Sequence, residues 1–173
     1  MQRLKVFVGA YDAAVTGLAA LAGIIIGAAC AMIVLDVTIR TLGFQPPAYT
    51  IAVVEYMLLY ITMFAAPYLV RERGHVYINA LISRLPPLLE MTFAKITYII
   101  AILASLLVMV LSSQLFWEAV KTGLYDEQGV DMPFWSLYLP IPIGFGLMAI
   151  EFSRYLFTSQ LMHRSKSRAD GSV

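Results

Sequence analysis

Four stretches of this chain run without a charged side chain for long enough to cross a lipid bilayer, and that leaves few folds open to it. The hydrocarbon core is ~30 Å thick and takes about 20 helical residues at 1.5 Å each. Ala13 to Leu35 gives 23 residues between Asp12 and Asp36, and Ile96 to Trp117 gives 22 between Lys95 and Glu118. Met132 to Ile150 gives 19 between Asp131 and Glu151, and its apolar pattern runs on through Tyr155, Leu156 and Phe157. Tyr56 to Val70 supplies only 15, so the second span is placed at about 51–70, with Glu55 a turn inside its end. Lipid offers backbone N–H and C=O groups no partners, so each span has to be helical. The expected fold is all-α and integral to the membrane: one domain over 1–173, with spans at about 13–35, 51–70, 96–117 and 132–157.

The first span follows Arg3 and Lys5 as a signal peptide would, and Gly27-Ala28-Ala29-Cys30 resembles a lipoprotein cleavage site. Its apolar run is too long for that, and Cys30 sits inside the run rather than at its end, so the span reads as a retained transmembrane helix. An even number of spans puts both termini on one side. Ten of the twelve Lys and Arg residues then share that side, against Arg40 and Lys121 on the other, so both termini are expected to be cytoplasmic.

The short first connection, Gly43-Phe44-Gln45-Pro46-Pro47, is a rigid turn. The second, Arg71 to Lys95, is too long to be structureless in a compact fold. Within it Ile78, Leu81, Ile82 and Leu85 follow i, i+3, i+4, i+7 spacing, which predicts an amphipathic interfacial helix at about 76–85, stopped by Pro86-Pro87. Residues 163–173 form a basic cytoplasmic tail.

Composition narrows function by exclusion. The chain is 60% hydrophobic and 13% charged, with mean hydropathy +0.78, so a water-soluble enzyme is excluded. Net charge +1 gives no basic excess for nucleic acid. One cysteine, Cys30, cannot form an intrachain disulfide or a thiolate metal cage, and His75 and His163, 88 residues apart, supply no axial haem pair. No nucleophile with a base, phosphate-cradling loop or metal-ligand cluster stands out, so no catalytic residue, metal or cofactor is assigned.

The candidates that remain concern assembly. Ala19, Gly23, Gly27 and Ala31 place a small side chain every four residues, suited to close helix approach within the chain or to a second subunit. Glu55 is the only carboxylate placed within a span, where it serves as an anchor or as a coupling group. Pro67, Pro140 and Pro142 should each bend a helix and free a carbonyl. Trp117, Trp135, Tyr125 and Tyr138 near the outer boundary, and Tyr77 and Tyr98 near the inner one, are read as interfacial anchors, and His75, beside Gly74, as a cap or anchor of the interfacial helix. The midplanes, with Ser105, Thr62 and small residues, offer too little to bind a charged solute.

The order of features, Val37-Thr38-Ile39-Arg40 closing span one, Glu55 opening span two and Arg71-Glu72-Arg73-Gly74-His75-Val76 after it, resembles the small permease subunit, DctQ type, of the tripartite ATP-independent periplasmic (TRAP) transporters. Leu85-Pro86 and Pro133 with Trp135 fit the same pattern, and the likeness runs from about Val6 to Tyr155. One departure is Gln45-Pro46-Pro47-Ala48-Tyr49, where the family often has a tryptophan before an acidic pair, and only Glu55 stands here. The resemblance implies a secondary active importer of organic acids driven by a cation gradient. It implies three partners: a large membrane subunit that holds substrate and ions, a periplasmic solute-binding protein, and the bilayer. The small subunit would be a scaffold, with Gly23, Gly27, Arg40, Glu55, Arg73, Gly74, His75 and Trp135 as interface or anchoring residues. Two other readings stay open: a stand-alone homodimeric transporter working through Glu55, and a four-helix membrane oxidoreductase, which the scarcity of Cys and His disfavours.

Overall fold

The structure is a computed structural model and describes residues 2–47, 49–72, 87–126 and 131–157. It contains α1 (Gln2–Thr41), α2 (Tyr49–Arg71) and α3 (Pro87–Thr122), a two-strand antiparallel ladder of β1 (Tyr125–Asp126) with β2 (Met132–Pro133), a short α4 (Phe134–Tyr138), and α5 (Pro140–Phe157). Four segments are long and apolar enough to cross a membrane: Gly9–Thr41, Tyr49–Arg71, Lys95–Thr122 and Phe134–Leu156, the last running through α4 and α5. The all-α, four-span membrane fold is as expected. The interfacial helix at about 76–85, the candidates Arg73, Gly74 and His75, and the tail at 163–173 lie outside the described residues.

The helices outrun the uncharged stretches because charge limits what sits in lipid, not where backbone hydrogen bonding stops. α1 continues past Asp36, which pairs with Arg40 one turn on at 3.3 Å. It ends at Gly43, whose φ of +82° suits a residue without Cβ. There the Phe44 N–H reaches Ile39 O at 3.1 Å and the Gly43 N–H reaches Arg40 O at 3.2 Å, the paired bonds of a Schellman cap. Pro87 opens α3, where a missing N–H costs nothing. α3 stops at Gly123, φ +59°, whose N–H bonds Ala119 O.

The spans are not arranged as a closed bundle. Among the described residues α1 packs along α2, α2 along α5 and α5 along α3, so the order across the molecule is α1–α2–α5–α3. Each outer helix presents one narrow seam. On α1 the buried residues are Val15, Ala22 and Ala29, and on α3 they are Tyr98, Ser105, Ser112 and Ala119, in both cases seven apart. A seven-residue repeat drifts only about 20° per step on an α-helix, so it keeps facing one partner. A four-residue repeat drifts about 40° per step at 3.6 residues per turn. The Ala19, Gly23, Gly27, Ala31 stripe therefore winds away from the seam, and a Cβ added at Gly23 or Gly27 would meet nothing within 4 Å.

Close approach is made by different glycines. A Cβ on Gly144 would lie 2.8 Å from Met63 O on α2, and one on Gly146 would lie 3.2 Å from Met109 Sδ on α3. Two residues apart on a helix, these glycines face opposite ways, which lets α5 sit tightly between two neighbours. Lipid tails are as apolar as leucine, so such packing and interhelical hydrogen bonds, rather than release of water, hold the row together.

Candidate functional site: a charge clasp at one end of the row

At the end where α1 and α3 begin and α2 and α5 finish, four charged side chains from three helices meet. Asp12 on α1 accepts from Arg154 Nη1 of α5 at 2.8 Å and lies 3.7 Å from Arg71 Nη2 of α2. Arg154 Nη1 also stands 3.4 Å from Glu151 Oε1, one turn before it on α5. Arg71 Nη1 donates to the Asp12 backbone carbonyl at 3.1 Å. Two anions and two cations cancel, which is what makes charge tolerable at the edge of a hydrocarbon layer. Glu151, only 2% exposed, is the largest fully buried side chain among the described residues.

Neutral donors complete the clasp. Tyr11 donates to Leu147 O across the α1–α5 gap at 3.2 Å, and the Arg154 guanidinium lies 5.6 Å from its ring centre. Tyr155 donates to Arg71 O, a last-turn carbonyl with no partner inside its own helix. Arg71 and Arg154 both occupy last turns, where the helix dipole favours a cation.

At the opposite end the contacts are polar but sparser. Tyr56 donates to Asp126 Oδ2 at 2.9 Å, fastening the β1–β2 ladder to α2. Tyr60 donates to Ser136 O at 2.7 Å. That carbonyl is the one Pro140 leaves without its i+4 amide, so the expected freed group is captured by a neighbouring helix. Pro140 itself opens α5 rather than interrupting it. Pro67, inside α2, frees Met63 O, which is the atom that faces Gly144.

The sequence-derived candidates do not converge. Gly23 and Gly27 face outward on α1, Arg40 is exposed beside Asp36, Glu55 is exposed on α2, and Trp135 is 42% exposed on α4. The placing of Glu55 as the sole carboxylate within a span is corrected: Asp12 and Glu151, read as the limits of uncharged runs, lie inside membrane-length helices. The missed signal was sign balance, since Asp12, Arg71, Glu151 and Arg154 all border uncharged runs at the same end of the molecule. Among the described residues no group of three His, Cys, Asp or Glu could hold a metal ion.

Residues 29–161 match the family described as "Tripartite ATP-independent periplasmic transporters, DctQ component". Over 115 residues the chain is 24% identical to the isethionate TRAP transporter permease protein DctMQ of Oleidesulfovibrio alaskensis. That match covers 63% of this chain but 17% of the relative's length. The family is one of transporters and not of enzymes. With the family match spanning most of its length, the chain belongs to the DctQ family and is a small, multi-pass membrane subunit of a TRAP transporter.

Proposed function

We propose that this subunit is a scaffold that braces the large TRAP membrane subunit while that partner moves solute, with no solute site of its own. The observation that carries the reading is the clasp: Asp12, Arg71, Glu151 and Arg154 are turned on one another, which ties three helices together. The outward faces of α1 and α3 are apolar, with Ile24, Val34, Leu103 and Leu107 exposed, and can meet lipid or a partner helix. Gly23 and Gly27 belong to that outward surface and are proposed as a docking face, with Arg40, Glu55, Arg73, Gly74, His75 and Trp135 as further anchoring positions. We place both termini in the cytoplasm of a bacterial inner membrane, on the side that collects ten of the twelve basic residues.

Organic acids would be delivered by a periplasmic solute-binding protein and driven inward by a cation gradient, as the family implies and as a permease named for isethionate supports. The test is uptake into vesicles. The chain alone should move no organic acid, and reconstitution with its large subunit and binding protein should restore import. Uptake by the chain alone would end the scaffold reading.

A further inference from the structure

We propose that the groove between α3 and α5 holds one acyl chain of an anionic phospholipid, with the phosphate at the groove's basic end between Arg154 and Lys95. The groove measures about 990 Å³ and is lined by Ile102, Leu106 and Met109 of α3 and by Ile143, Gly146 and Ile150 of α5. Its floor is where the two helices come close, Met109 of α3 against Gly146 of α5. Along α5 the lining runs from Pro142 to Arg154. Those twelve steps span about 18 Å, against about 15 Å for one leaflet of a 30 Å hydrocarbon core.

The two ends of the groove differ in chemistry. Toward mid-membrane the lining is apolar, and at the other end it finishes in Ser153 and Arg154. Arg154 is 40% exposed, and its contacts with Asp12 and Glu151 are both made by Nη1, one of three nitrogens that carry five N–H donors in all. Lys95 is exposed and stands two helical turns before Ile102, on the same face of α3. An apolar track about one leaflet long that ends at Arg154, with Lys95 two turns before Ile102 on the facing helix, matches a lipid tail beneath a phosphate. It also lies on the side where basic residues collect, which faces the anionic leaflet under the proposed orientation.

Native mass spectrometry of the full chain, loaded with phosphatidylglycerol or with phosphatidylcholine of identical acyl chains, tests the site. Wild type should retain one phosphatidylglycerol, and Lys95→Glu should lower that retention at least about fivefold, the ratio one basic side chain supplies near an anionic headgroup. Leu106→Trp, which fills the groove from its open side, should abolish retention while leaving the helical circular dichroism and melting temperature of wild type. Should either variant fail to fold, the other still decides the matter. Equal retention of the two headgroups by wild type, or unchanged retention in a folded variant, would overturn the proposal. So would a photo-crosslinker at Leu106 that captures a helix of the large subunit in place of lipid in the assembled complex.

Discussion

A carboxylate as buried as Glu151 survives in a membrane helix only beside a cation, and Arg154 stands one turn away with Asp12 as a second anion to balance Arg71. Asp12→Asn should therefore destabilise the chain by about 1–3 kcal/mol, because two arginines lose their shared counter-charge at a half-exposed site. A detergent melt of the purified protein measures it, and a cycle with Arg154→Gln should show the two losses to be strongly non-additive. Fully additive losses would mean that the pair is not coupled. Tyr60 is a second residue whose worth depends on another. Its hydroxyl satisfies Ser136 O, left open by Pro140, so Tyr60→Phe should cost about 0.5–1.5 kcal/mol. In a Pro140→Ala background the helix's own amide can take that carbonyl, and the Tyr60→Phe penalty should shrink toward zero.

Among the elements, α5 carries a heavy constraint, because a glycine brings it close to its neighbour on each of two sides. Gly144→Ala puts a methyl group 2.8 Å from Met63 O, a backbone atom that cannot step aside, and should cost about 1–3 kcal/mol. Gly146→Ala meets only the end of the Met109 side chain at 3.2 Å, which can rotate, so its loss should be visibly smaller. Gly23→Leu and Gly27→Leu should leave the melting temperature of the isolated chain unchanged. If that outward face docks a second subunit, the same substitutions should lower the yield of co-purified partner, which separates packing inside the chain from packing between chains. The seams on α1 and α3 show why spacing matters more than residue size. Small residues recur along α1 both every four and every seven positions, but only the sevenfold series stays on the α2 side.

At the level of the whole molecule, an open row exposes far more lateral surface than a four-helix bundle of the same length would. The row predicts that Met63→Cys with Gly144→Cys will cross-link at mid-depth, and that Ala22→Cys with Ser105→Cys will not, in each case with Cys30→Ser. An efficient intramolecular bond between the latter pair would mean that α1 and α3 close on each other. Much of this fold is legible without coordinates. The number and helical nature of the spans follow from uncharged length and from the need to satisfy every backbone group within the segment. The turn at Gly43 follows from its residue type, and the family is marked by residues such as Arg71 to Val76. Which helix lies beside which does not follow, since an apolar span is equally content against lipid or protein and composition cannot rank the pairings. Glu151 reads as a boundary because a linear reading sees a charge as the end of a run, and Asp12, the other anion that Arg154 pairs with, lies on another helix, 139 positions earlier. The chain alone determined that there are four membrane helices. Only tertiary packing decided that Gly144 and Gly146, not Gly23 and Gly27, are where helices touch, because contact depends on the direction each side chain faces once its neighbours are in place.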